Sequence, residues 1–192
     1  MPAYPTDCAH SDPNMKNQLA EAGNYRKIIY EACDIHKIEP SIIAGIGSRE
    51  SRWGLALKPP GPEGTGDFAP RQLLNRHRTG PLPADGLGFG RGLMQIDYDF
   101  HEFARIGNWR NPEENINYAI KLLAGFISLI ERKIDLDKSN LIRAAVASYN
   151  AGPGRIFTAI RNSLDIDTYT SGGNYSIDVL NRAGFFQING WR

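Results

Sequence analysis

The sequence predicts a mainly α-helical chain with a small β region near residues 87–97. Three observations point there. Apolar residues recur at helical spacing over long stretches, proline-containing helix starts stand ahead of those stretches, and long alternating runs of apolar and polar residues are scarce. A length of 192 residues suits one domain that buries a real core without staples.

Ser11-Asp12-Pro13 has the form of a helix start, with Asp12 as cap and Pro13 at the first helical position, which leaves residues 1–12 as an N-terminal tail. Tyr25, Ile28, Ile29, Ala32 and Ile35 then recur at helical spacing, so one helix is expected to run to about residue 36. Glu39-Pro40-Ser41 breaks and restarts the chain. Ile42, Ile43 and Ile46 give the next helix a buried face, and it should end between Glu50 and Gly54, before a proline-rich stretch. Residues 55–88 read as a long inserted loop. Pro59-Pro60-Gly61-Pro62 and Pro81-Leu82-Pro83 have no period, and only Leu73-Leu74 suits a short helix. Asn111-Pro112-Glu113-Glu114 supplies a cap, a proline and an acidic first turn. Behind it Ile116, Ile120, Leu123, Ile127, Ile130 and Ile134 form the clearest amphipathic stripe, the expected central core element. A helix over about 141–149, stopped by Asn150-Ala151-Gly152-Pro153-Gly154, and shorter ones over 155–162 and 174–183 complete the set.

Lys and Arg total 22 against 21 Asp and Glu, a net charge of +1, and the positives form no block, so no nucleic-acid partner is expected. No apolar run reaches the roughly 18 residues a transmembrane helix needs, and no membrane partner is expected. Nothing suggests an oligomer, so a monomer is expected. The opening Met-Pro-Ala-Tyr-Pro-Thr-Asp-Cys lacks the basic start and apolar stretch of a signal peptide. Cys8 and Cys33 permit one disulfide or two reduced thiols, and are too few for a zinc site. His10, His36, His77 and His101 form no close pair, so neither a metal nor an organic cofactor is expected. The run Gly86-Leu87-Gly88-Phe89-Gly90-Arg91-Gly92 does not fit a phosphate loop; close approach of its backbone to a neighbouring chain or a sugar fits better.

Carboxylate chemistry remains. Glu50 ends an otherwise apolar helix beside Trp53, and a carboxyl held against apolar walls stays protonated near neutral pH, as a general acid at a glycosidic oxygen must. A solvated Glu50, or one paired with Arg49 or Arg52, is the competing reading. Asp97 follows Gly92-Leu93-Met94-Gln95-Ile96, with Asp85 and Asp99 near it, and a glycosidase needs a second carboxylate. A lone Asp at a turn is equally a turn residue.

Three blocks resemble the goose-type lysozymes and, less closely, the soluble lytic transglycosylases. They are Glu39-Pro-Ser-Ile-Ile-Ala-Gly-Ile-Gly-Ser-Arg-Glu50-Ser, Gly88-Phe-Gly-Arg-Gly-Leu-Met-Gln-Ile-Asp97 and Ala147-Ser-Tyr-Asn-Ala-Gly-Pro-Gly154, in the family's order. The resemblance implies a lysozyme-like fold, helical lobes around a substrate cleft, and an enzyme that acts on bacterial peptidoglycan and chitooligosaccharide-like glycans. It puts Glu50 where the family has its acid and Asp97 where goose-type enzymes carry an aspartate that transglycosylases lack. Asp85 is the nearest match to a further acid before the Met-Gln block, one residue out of register. Tyr149 and Tyr175 match aromatic residues near the acid. Met94, Gln95, Tyr149 and Asn150 are the expected contacts of the N-acetyl groups. Thr6-Asp7-Cys8 is similar to the first cysteine segment of avian members, which implies a Cys8–Cys33 disulfide and a secreted, extracellular or periplasmic protein. The loop between Glu50 and Asp85 is longer than the family usually shows. The implied reaction is inverting hydrolysis between N-acetylmuramic acid and N-acetylglucosamine. A lytic transglycosylase with Glu50 as sole acid and base, or a wall-binding module without catalysis, are the alternatives.

Overall fold

A computed structural model describes residues 3–7, 14–71 and 81–192. The expected helix start at Asp12-Pro13, the short helix at Leu73-Leu74, and Cys8 lie outside these residues. The chain divides into two compact units. Among the described residues, a sheet-bearing unit takes 14–30, 50–71 and 81–119, and a helical unit takes 3–7, 31–49 and 120–192.

The first expected helix is two: α1 (Met15–Gly23) and α2 (Arg26–His36). The break falls after Gly23, a poor helix residue, where the Asn24 and Tyr25 amides turn back to the carbonyls of Glu21 and Ala22. The buried face of α2 is Ile29 and Cys33, and Ile35 is 75% exposed despite its place in the apolar pattern. Helix α3 (Pro40–Ser51) starts and stops where Pro40 and Trp53-Gly54 predict.

Strands β1 (Thr65–Gly66), β2 (Gly90–Arg91) and β3 (Ile96–Asp97) form one antiparallel sheet in that order. Thr65 pairs with Arg91 and Gly66 with Gly90, while Gly90 also faces Asp97 and Arg91 faces Ile96. β2 and β3 fall in the predicted β region. β1, extended by a bridge between Lys58 and Thr65, falls inside the stretch read as loop. Two-residue strands have no alternating pattern to read, which is why β1 escapes the sequence. The glycines serve close packing within the chain: a Cβ on Gly66 or Gly90 would sit 2.3 or 2.1 Å from the Gln95 side-chain oxygen. Phe89, Leu93, Met94, Ile96, Trp53 and Trp109 are the buried core of this unit. After the short α4 (Glu102–Ile106), α5 (Pro112–Glu131) begins at the predicted cap.

In the helical unit α5 continues with Ile120, Leu123 and Ile130 buried, Ile127 half-buried, and Ile134 beyond its end. Helices α6 (Lys138–Ala151), α7 (Pro153–Arg161) and α8 (Tyr175–Ile188) follow, with 3-10 turns at Ile166–Tyr169 and Ser171–Gly173. Asp137 caps α6 by accepting from the Asn140 amide at 2.8 Å, so the helix starts earlier than its apolar pattern. The bodies of α3 and α8 touch backbone to backbone: a Cβ on Gly45 would lie 2.5 Å from the Val179 carbonyl oxygen. Ile42, Ile43 and Ile46 of α3, Ala144–Ala147 of α6 and Val179, Ala183 and Phe186 of α8 are all buried in this unit. Residues read as tail also dock here, the Ala3 amide donating to Gln187 at 2.7 Å. Cys33 is buried and free, and burial pushes its thiol up to about 12. Among the described residues no helix is long and apolar enough to cross a membrane.

Candidate active site

Glu50 stands in the last turn of α3, half-buried, in the sheet-bearing unit. Directly after it the backbone runs left-handed through Arg52 (φ 51°), Trp53 (φ 54°) and Gly54 (φ 90°). For two bulky residues such angles cost of order 1–3 kcal/mol each and persist only where the surroundings over-determine them. Here the surroundings are a buried Trp53 ring stacked on Tyr25 at 5.8 Å, and Ser51 Oγ accepting from the Gly54 amide at 3.0 Å. The helix end that carries Glu50 is thereby fixed.

The turn between β2 and β3 carries Met94 and Gln95. Asn115, fully buried on α5, holds it from behind: its Oδ1 accepts from the Met94 amide at 2.9 Å and its Nδ2 donates to the Arg91 carbonyl at 3.1 Å. Gln95 is left-handed (φ 49°) and its Nε2 donates to the Gly92 carbonyl at 2.8 Å. Met94 is buried and Gln95 half-buried.

Asp97 ends β3 with its side chain 27% exposed. Arg71, from the stretch read as inserted loop, grips it in bidentate fashion: Nη1 to Oδ1 at 3.1 Å and Nη2 to Oδ2 at 2.6 Å. Asp97 Oδ1 also accepts from the Asp99 amide at 2.8 Å. A carboxylate offers about four acceptor positions. Among the described residues three are taken, and the one that remains is on Oδ2. The same guanidinium reaches Asp99 Oδ2 at 3.0 Å and Asp67 Oδ2 at 2.5 Å and lies 3.8 Å over the Phe89 ring. Burial alone would lower the Arg71 pKa, but the hydrogen bonds it donates to Asp97 and Asp67 outweigh that and push it up.

Asp85 is not part of this cluster. It is 46% exposed and its Oδ1 accepts from Arg91 Nη2 at 3.0 Å and from the Leu87 amide at 3.1 Å. Burial would raise the Asp85 carboxyl, but the Arg91 hydrogen bond and charge hold it below its ordinary value. Arg91 itself is fully buried between the rings of Tyr98 (4.7 Å) and Trp109 (5.2 Å).

The remaining expected residues belong to the helical unit. Tyr149 is half-buried on α6 and Asn150 beside it is exposed, its Oδ1 accepting from the Ser171 amide at 2.8 Å. Tyr175 is buried at the start of α8, with the Arg49 guanidinium 5.7 Å above its ring. The start of α8 is held by fully buried Asp167, which accepts from the Ser176 amide at 2.9 Å and its hydroxyl at 2.5 Å, while Arg143 reaches Ser176 Oγ at 3.2 Å. The sheet-bearing unit thus holds Glu50, Asp85, Met94, Gln95 and Asp97, and within it Asp97 and Asp85 answer to different arginines. Sequence reasoning names buried Asp99 only as a neighbour of Asp97, and misses Arg71 and Asp67. Their only signals are the i, i+4 pair Asp67/Arg71 and the alternation of Asp97 with Asp99.

A sequence model described as Lysozyme g matches residues 76–190. The chain is 32% identical over 179 residues to a lysozyme g of Cyprinus carpio, covering 92% of this chain and 80% of the relative. It is 30% identical over 177 residues to one of Gallus gallus (92% and 70% covered) and 29% identical to one of Casuarius casuarius (92% and 80%).

Proposed function

The chain belongs to the lysozyme g family and is a glycoside hydrolase of the lysozyme type, and from that premise we propose that it cuts peptidoglycan by inverting hydrolysis with Glu50 as acid and Asp97 as the group that orients water. The bond is the β-1,4 link between N-acetylmuramic acid and N-acetylglucosamine. Glu50 gives its proton to the bridging oxygen as the carbon–oxygen bond breaks. A water on the opposite face of the sugar forms the new bond to the anomeric carbon and passes its proton to Asp97. Both carboxyl groups regain their starting states by exchange with solvent.

The observation that carries this reading is the acceptor count on Asp97. Among the described residues, Arg71 and the Asp99 amide fix the carboxylate plane and leave one acceptor direction on Oδ2 of a side chain that is partly exposed. That is what positioning one water requires. Asp67, on the same guanidinium, is better placed to assist than Asp85, whose charge supports buried Arg91. The Met94 and Gln95 amides are engaged with Asn115 and Gly92, so sugar contacts at this turn run through carbonyl oxygens. Tyr149, Asn150 and Tyr175 are assigned to the sugar as well. The substrate lies outside the cytoplasm, which goes with a secreted or periplasmic protein.

The test is mass spectrometry of the sugar ends released from purified peptidoglycan, with the anomer of a chitooligosaccharide product followed by NMR. Reducing-end muramic acid and an inverted α product support the reading. Anhydro-muramic ends would make the sugar's own 6-hydroxyl the nucleophile and leave Asp97 a structural role. Wall binding without any release would favour a binding module.

A further inference from the structure

We propose that Arg71 is a positioning residue of the reaction, acting through Asp97. The inference rests on the reading of Asp97 given above. One guanidinium makes four contacts to three carboxylates: both oxygens of Asp97, Oδ2 of Asp99 and Oδ2 of Asp67. Its own plane is set by the Phe89 ring at 3.8 Å, and Phe89 is fully buried next to β2. The orientation therefore passes from the core to the ring, from the ring to the fork, and from the fork to Asp97.

Two physical consequences give the fork a role beyond tying down a loop. A bidentate grip fixes the rotation of the Asp97 carboxylate, and with it the direction of the acceptor site that the described residues leave on Oδ2. A single point charge would hold the group's position but not its plane, so lysine is no substitute. The fork also neutralises part of a cluster of three carboxylates, of which Asp99 is only 1% exposed. Without the cation the mutual repulsion of the three carboxylates would turn Asp97 away from its partners, and that removes the oriented acceptor. The nearby Arg105 does not take over, because its Nη1 is spent on the carbonyls of Tyr98 and Asp99.

The experiment compares wild type, Arg71→Ala, Arg71→Lys, Asp97→Asn and the Arg71→Ala/Asp97→Asn double variant on a soluble chitooligosaccharide. Thermal melting of each protein accompanies kcat and KM. Arg71→Ala is expected to lower kcat roughly 100-fold, as misplacement of a reacting group does, with KM within about twofold. Arg71→Lys stays well below wild type, and guanidinium added to Arg71→Ala at low concentration restores part of the rate. The double variant is no slower than Asp97→Asn alone, because Arg71 has nothing left to act through. If Arg71→Ala does not fold, Arg71→Gln takes its place in every comparison. Losses that multiply in the double variant, or an alanine variant at wild-type kcat beside a slow Asp97→Asn, overturn the role of Arg71 alone. Asp97→Asn at the wild-type rate would strike the reading of Asp97 itself, and the proposal with it.

Discussion

Replacing Asn115 with alanine tests whether the turn carrying Gln95 and leading to Asp97 is held by one buried amide. The side chain is fully buried and serves two backbone groups through buried hydrogen bonds: the Met94 N–H at 2.9 Å and the Arg91 carbonyl at 3.1 Å. Each buried group left without a partner costs about 1–3 kcal/mol, so the pair comes to about 2–6 kcal/mol. Taking ~4 kcal/mol, and about 2–4 °C per kcal/mol for a chain of this size, the melting temperature should fall by roughly 8–16 °C. Urea unfolding followed by tryptophan fluorescence reads this directly, since Trp53 and Trp109 are buried in the same unit. Asn115→Asp is the companion. It keeps an acceptor for Met94 but loses the donor for Arg91 and buries a charge, so it should be destabilised at least as much. A loss below about 1 kcal/mol for the alanine variant, or a neutral aspartate variant, would refute the reasoning.

Other perturbations probe the remaining elements. Glu50→Gln should lower turnover by about three orders of magnitude while the protein still sediments with purified cell wall; unchanged turnover would remove Glu50 from the mechanism. Gly45→Ala puts a methyl group 2.5 Å from the Val179 carbonyl and should cost about 1–3 kcal/mol in an unfolding titration, against a small gain if the helices had room. The Asp85 carboxyl is depressed below its ordinary 3.8, net of a burial that opposes the shift and an Arg91 hydrogen bond that drives it. Its contribution is therefore complete above the unfolded value and is lost as pH falls through the lower folded value. Asp85→Asn should lower the melting temperature at neutral pH, by leaving Arg91 buried without its counter-charge, and should flatten the melting curve's dependence on pH below about 4.

The helices were legible in the sequence because they combine start signals with long apolar stripes. Asn111-Pro112 and the isoleucines behind it define α5 almost residue by residue, and Pro40 and Gly54 bracket the helix that carries Glu50. The errors come from short-range effects that a stripe overrides. Ile35 continues the pattern begun at Tyr25, yet the buried face of that helix is set by Ile29 and Cys33, which the core covers, and Ile35 lies off it. β1 has two residues and no period, so its place in the sheet follows from tertiary packing against Gly90. At the candidate site Glu50 and Asp97 stand out by position and by family resemblance. Arg71 does not: its partners Asp97 and Asp99 lie 26 and 28 residues away, and no propensity encodes a contact made by one flexible side chain across a loop.

The interleaved chain path has a consequence for synthesis on the ribosome. All of the sheet-bearing unit is encoded by residue 119, while the helical unit needs α8, up to residue 188, to fill its core. The contact between Ala3 and Gln187 spans 184 residues and waits for nearly the whole chain. Closing so long a loop costs about 2–3 kcal/mol more than closing one of a dozen residues. Vectorial emergence thus lets the segment bearing Arg71 and the three carboxylates organise first, while Ile42, Ile43 and Ile46 of α3 wait, apolar and uncovered, for a helix made more than a hundred residues later. That interval is the chain's period of greatest exposure to aggregation, and it is set by topology, not by the strength of any contact in the finished protein.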